Sequence, residues 1–184
     1  LAINLIIINI ILTYINVQNA NIELSFFITG QIIILLSFLL FNFPSAKIFL
    51  GDSGSYLFGS ITALNTIMTN NLNPNYSSFF FCILLFYIFF EVFFSFIRKV
   101  FQKKSPVHPD NKHLHMLTFK KISIKFGRNN GNYINSVVIN TVYSALIVPA
   151  LLFAKDPLIS RYWFFFLIVI YLLIYFRLYR LTKN

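Results

Sequence analysis

Negative charge is almost missing from this chain. Five of its 184 residues are acidic, against fifteen lysines and arginines, and charged residues together make up 11%. Soluble domains carry about 25%. With 58% hydrophobic residues the chain could not cover its surface with polar groups in water, so its solvent is lipid. Cysteine is nearly absent too. Cys82 stands alone, inside an apolar run, which excludes an intrachain disulfide and a Cys-based metal site. No charged segment precedes the first apolar run, Leu1–Val17, so a signal peptide is not expected. The chain begins on Leu1 rather than Met, and a longer protein with residues upstream is expected.

What is abundant is long apolar sequence. Six runs stand out: Leu1–Val17, Leu24–Phe41, Tyr56–Thr69, Ser77–Ile97, Val137–Phe153 and Tyr162–Phe176. A span needs ~20 apolar residues. The third and sixth runs are short and need flanking residues to cross. None alternates as a barrel strand would, and backbone groups in lipid must pair internally, so helices are expected. The predicted fold is all-α: a polytopic membrane helix bundle of about six transmembrane helices, residues 1–184 forming one membrane domain with a long cytoplasmic loop at 98–135. No separate soluble domain is expected.

Lysine and arginine give the orientation. With Leu1 on the cytoplasmic side, the inner segments hold thirteen of them and the outer loops only Lys155 and Arg161. The positive-inside rule favours that topology strongly. The basic residues then meet anionic headgroups. Nucleic-acid binding is not expected, because the charge flanks membrane spans.

Two polar constellations fall on the inner side. The first is Gly51-Asp52-Ser53-Gly54-Ser55, between two apolar runs. Its glycines allow close backbone approach. Ser53 or Ser55 can cap a helix starting near Tyr56, whose exposed N–H groups favour an anion. Asp52 can hold Mg²⁺, which takes one or two carboxylates plus substrate phosphates. A helix cap with a glycine turn is the plain structural alternative.

The second is Ser105-Pro-Val-His-Pro-Asp-Asn-Lys-His-Leu-His115, which gathers all three histidines, His108, His113 and His115. Pro106 and Pro109 oppose helix, so the stretch through Asp110 is expected as an ordered loop. Histidines two apart share a side on a strand and diverge by about 200° on a helix; the spacing leaves both open. A zinc site from His108, Asp110, His113 and His115 is one alternative, and solvated loop histidines another. Met116–Phe126 mixes apolar residues with lysines and could lie in the membrane interface. Glu91 sits inside the fourth run, seven residues before Arg98. An intramembrane carboxylate calls for a function, and a structural pair in the bundle is preferred to a catalyst.

Together these pieces resemble a known family. Ala46-Lys-Ile-Phe-Leu-Gly-Asp-Ser-Gly-Ser55 resembles the Phe-(Met/Leu)-Gly-Asp-x-Gly-Ser signature of the polyprenyl-phosphate N-acetylhexosamine-1-phosphate transferases, the glycosyltransferase family 4 group. Arg98, Ser105-Pro106 and Pro109-Asp110-Asn-Lys-His113-Leu-His115 resemble its second signature, with a Pro-Asp-x-x-His-x-His-His core. Glu91 falls where the family commonly has an acidic residue before that arginine. The resemblance covers Leu1 to about Asn140.

The resemblance implies that a sugar 1-phosphate passes from a UDP-sugar to a polyprenyl (undecaprenyl) phosphate, with UMP leaving, at the bacterial inner membrane. It implies Mg²⁺ (or Mn²⁺) on Asp52, with His113 and His115 contacting the nucleotide diphosphate. Gly51, Ser53, Gly54, Ser55, Arg98 and Asp110 would bind or shape the substrate. A homodimer is common among the resembling enzymes. Two departures stand out. The third histidine of the core is Met116 here, and the family's upstream Asp-Asp pair and Asn-x-x-Asp motif are absent. The chain therefore reads as the C-terminal part of a ten-span enzyme, inactive alone. The alternatives are a transporter or channel module using Asp52 and Glu91 as pathway acids, and a histidine-based metal sensor.

Overall fold

Apolar runs this long hydrogen-bond within themselves in lipid, and in the computed structural model they are helical, with seven α-helices in all among the described residues. The structure describes residues 1–44, 46–105, 108 and 111–183, without the side chains of Asn129 and Lys183. In chain order the helices are α1 (Ala2–Gln18), α2 (Ile22–Asn42), α3 (Gly51–Leu72), α4 (Ser78–Phe101), α5 (Leu114–Phe126), α6 (Arg128–Ile147) and α7 (Pro157–Lys183). A 3-10 segment, Val148–Phe153, continues α6. Pro149 lacks the N–H that would carry an α-helix further, which accounts for the tighter winding. No strand occurs among the described residues.

Four stretches are long and apolar enough to cross a membrane: Ile22–Asn42, Ser78–Phe101, Asn130–Phe153 and Pro157–Thr182. The other two expected spans are helical but differ in kind. The first, α1, is 17 residues long. The other, α3, has 22 residues and buries Thr62, Asn65, Thr66 and Thr69 rather than an apolar face. Two of them, Thr69 and Asn65, meet polar groups on α1 and α2. Asn16 Nδ2 donates to Thr69 Oγ1 at 2.8 Å, and Asn65 Nδ2 donates to Gln31 Oε1 at 2.8 Å. Between helices in lipid such bonds replace the hydrophobic drive that water would supply.

The second half of the bundle is held by rings. Phe90 meets Tyr171 edge-on at 4.9 Å, and Phe94 meets Tyr175 edge-on at 4.6 Å, locking α4 to α7. Tyr143 Oη donates to Leu84 O at 2.6 Å, and Trp163 Nε1 donates to Leu146 O at 3.0 Å. Two helix starts are capped as their sequence suggests. Ser77 Oγ accepts from Phe79 N at 3.2 Å, and Asp156 Oδ1 accepts from Leu158 N and Ile159 N at 2.9 and 3.0 Å ahead of α7.

These contacts define two ends. One gathers the C-termini of α1 and α3 and the starts of α4 and α7: Asn16 with Thr69, Ser77 N with Ala154 O at 2.9 Å, and Lys155 over Tyr76. Since α3 runs about 30 Å from Gly51 to Leu72, Asp52 lies at the opposite end. That end also holds the end of α4, all of α5 and the end of α7. The connection expected over residues 98–135 carries helix at both ends and in its middle: α4 runs on to Phe101, α5 fills Leu114–Phe126, and α6 starts at Arg128.

Candidate functional site

The site is built where α5 enters the end of the bundle. The first N–H groups of a helix have no intrahelical partner. At α5 the preceding residue, His113, is extended (ψ 149°) and offers no side-chain cap. Glu91 of α4 supplies one instead: its Oε1 accepts from Leu114 N at 2.7 Å. The carboxylate is favourably placed at the positive end of the helix dipole. The same oxygen lies 3.1 Å from His113 Nδ1, and Oε2 accepts from Tyr171 Oη at 2.7 Å. A side chain only 9% exposed thus has both oxygens satisfied, which an intramembrane carboxylate requires.

An ionised carboxylate only accepts, so His113 Nδ1 carries the proton in this contact and Nε2 is left for other partners. The His115 ring stacks on that of His113, centroids 5.5 Å apart and planes 20° apart, with its Nδ1 4.0 Å from Glu91 Oε1. The spacing had left strand and helix both open. The answer is a mixture: His113 is extended and His115 sits in the first turn, so the rings lie side by side. Burial pushes the His115 imidazole below its ordinary value, against an upward pull from the Glu91 carboxylate, and the neighbouring His113 adds to the lowering. Asn135 Nδ2 donates to His115 O at 3.0 Å, tying α6 to the same corner.

Beside this cluster lies a cationic pocket of about 250 Å³, lined by Arg98, Lys99, Lys104, His108 and Lys112 among others. Lys99 Nζ donates to His108 O at 2.6 Å, Arg98 Nη2 donates to Ser95 Oγ at 3.1 Å, and Lys112 sits over the Tyr179 ring. Asp110, expected to bind substrate, lies outside the described residues, as do Pro106 and Pro109.

The Gly51–Ser55 stretch differs from expectation. It is the first turn of α3, not a knot ahead of a helix at Tyr56, and neither Ser53 nor Ser55 caps it. Gly51 has φ +68°, a left-handed conformation that side chains rarely adopt, and this lets the helix start one residue before Asp52. Ser55 Oγ donates back to Gly51 O at 2.6 Å. Asp52 is exposed in that first turn, and no hydrogen bond or ion pair among the described residues engages its carboxylate. None joins it to His113 or His115, though all three lie at the same end of the bundle. No group of three His, Cys, Asp or Glu side chains gathers into a metal cluster among the described residues.

Sequence reasoning missed how Glu91 is used. It read a structural pair within the bundle, whereas the carboxylate holds a histidine 22 residues away and caps a helix. The acid inside an apolar run was the available signal. Tyr171 had none: it is one of ten tyrosines, with no charged neighbour in sequence.

Residues 1–70 match the family model of glycosyl transferase family 4. That stretch includes Asp52 and ends before Glu91 and the histidines. The chain is 38% identical over 88 residues to the undecaprenyl-phosphate alpha-N-acetylglucosaminyl 1-phosphate transferase of Thermotoga maritima, covering 48% of this chain and 29% of that protein. It is 36% identical over 81 residues to a probable undecaprenyl-phosphate N-acetylglucosaminyl 1-phosphate transferase of Bacillus subtilis, covering 44% of this chain and 23% of the relative. The matches thus span under a third of either relative. No solved structure matches the chain significantly.

Proposed function

We propose that the full-length protein, whose residues 1–70 match the glycosyl transferase family 4 model, moves a sugar 1-phosphate from a UDP-sugar to a polyprenyl phosphate at the inner face of a bacterial membrane. The lipid phosphate oxygen attacks the sugar-bearing phosphorus, the bond from that phosphorus to the bridging oxygen breaks, and UMP leaves with the bridging oxygen. A lipid diphosphate sugar remains.

The observation that carries this reading is a co-location. The exposed Asp52 carboxylate, the cationic pocket and the Glu91-held histidines share one end of the bundle. A transferase joining a soluble nucleotide to a lipid phosphate needs its polar groups at that boundary. A transporter would place ionisable groups on a path through the midplane. Here the buried polar seam of α1–α3 is uncharged, and Glu91 is fully engaged.

Asp52 fits a hard divalent cation: it is an oxygen donor, exposed, and without a protein partner among the described residues. Magnesium (or manganese) bound there would offset charge on the diphosphate oxygens. Arg98, Lys99 and Lys112 place positive charge where the nucleotide phosphates would lie. Glu91 fixes the tautomer and plane of His113, so that Nε2 meets the substrate without reorganising. His115, whose proton affinity is lowered in the fold, offers both a donor and an acceptor when neutral. Gly51, Ser53, Gly54 and Ser55 shape the turn that presents Asp52, and Asp110 belongs to the same proposed substrate set.

The test is transfer by the full-length protein from UDP-N-acetylglucosamine to undecaprenyl phosphate, with UMP measured. Release that needs both the lipid phosphate and a divalent cation is the expected result, and His113→Ala should slow it by about 10- to 100-fold. No UMP from any UDP-sugar, or an unchanged rate in His113→Ala, would overturn the assignment.

A further inference from the structure

A cavity of about 360 Å³ lies between α4, α5, α6 and α7. Its deep wall is formed by Ile83, Ile147 and Leu167, and its mouth by Thr118, Lys121 and Arg177. Three of the hydroxyls along its walls are already used, Tyr143 Oη on Leu84 O, Tyr171 Oη on Glu91, and Thr118 Oγ1 on Leu114 O, and Tyr87 brings a fourth. What faces the space is therefore mostly hydrocarbon, closed at one end by two cations. Both are exposed, and among the described residues no carboxylate pairs with either.

That arrangement selects an amphiphile with one apolar chain and a negative head. A nucleotide or free sugar would leave its polar groups unpaired in such a cavity. Depth narrows the choice. From Leu167 to Arg177 the cavity follows α7 for about 15 Å, half of the ~30 Å hydrocarbon core. An acyl chain of the leaflet next to α5 matches that depth; a polyprenyl chain is much longer.

We propose that this cavity binds one acyl chain of an anionic phospholipid, with its phosphate held between Lys121 and Arg177. The site does not depend on the transfer reaction, but it touches the cluster described above. Leu114 and Tyr171 line the cavity, and both hold the Glu91 carboxylate. A chain packed against them braces α5 from behind.

The experiment is native mass spectrometry of the full-length protein, released from bilayers holding equal phosphatidylglycerol and phosphatidylcholine with the same acyl chains. Two interfacial cations should favour the anionic lipid by about tenfold or more. The double substitution Lys121→Ala with Arg177→Ala should abolish that preference, and Val142→Trp, which fills the cavity wall, should remove retained lipid of both kinds. Excess undecaprenyl phosphate should fail to displace phosphatidylglycerol. Equal retention of the two lipids, an unchanged preference in the cation variant, or displacement by undecaprenyl phosphate would each overturn the proposal. If Val142→Trp does not fold, the cation variant decides alone, because its two side chains lie at the surface.

Discussion

Glu91 does three things with two oxygens: it caps α5, orients His113 and accepts from Tyr171. Replacing it separates these roles. Glu91→Gln keeps one carbonyl oxygen for the cap but loses the charge and half of the acceptor capacity. In the full-length protein the expected result is a kcat lower by about 10- to 100-fold with KM little changed, as for other groups that orient a reacting side chain. Glu91→Asp should recover part of the loss. A fall in protein yield with normal kcat in what folds would show that the carboxylate is only structural. His115 gives a second test. Its value in the fold lies below the ordinary ~6.5. The unfolded chain therefore takes up the proton first as pH falls. The stability from neutral His115 is complete above about 6.5 and is lost as pH drops through the window toward the lower folded value. Imidazole resonances followed by NMR should show His115 titrating below 6.5; a midpoint above it would contradict the geometry. Asp52 and the two histidines stood out in the sequence, because acids and imidazoles are rare in a lipid-facing chain, but the stacking of the two rings did not. The tyrosine and the backbone N–H that complete the cluster were not, since only folding brings α4, α5 and α7 together.

Hydropathy located every long helix, because backbone pairing in lipid leaves few alternatives. It gave no span signal for α5, whose lysines and short length mark it only as the interfacial stretch expected at Met116–Phe126. It also set the start of α3 several residues late. The Gly-Asp-Ser-Gly-Ser stretch is polar and looks like a loop, yet a left-handed Gly51 lets the helix begin there. The corner between α5 and α6 depends on close approach. A Cβ at Gly131 would lie 2.7 Å from Ser123 Oγ and 3.1 Å from Ser123 Cα, and the latter is backbone that cannot rotate away. Gly131→Val should therefore cost about 1–3 kcal/mol through overpacking. Thermal denaturation in detergent would read this as a lower midpoint; an unchanged midpoint would mean that the two helices part freely. The seam between α1, α2 and α3 is softer. Removing one interhelical bond in lipid costs about 0.6 kcal/mol on average, so Asn65→Leu should shift the midpoint only slightly.

At the scale of the whole molecule the bundle has two unlike ends. One collects short polar turns. The other carries α5, most of the lysines and arginines, and Asp52. The positive-inside rule leads us to expect that second end on the cytoplasmic side, and the helix order puts Ser53 and Lys104 there and Asn71 at the other. In a full-length protein stripped of its cysteines, single cysteines at positions 53 and 104 should react with a membrane-impermeant thiol reagent only from the cytoplasmic side, and one at 71 only from outside. Labelling of 53 and 104 from opposite sides would break the co-location on which the functional reading stands. The account rests most heavily on the Asp52 carboxylate, and one measurement reaches it directly: UMP release from a UDP-sugar by full-length Asp52→Asn, with folding checked by its thermal midpoint. A folded variant at least about 100-fold slower than the parent is the predicted result. A folded variant working at the parent rate would contradict the account.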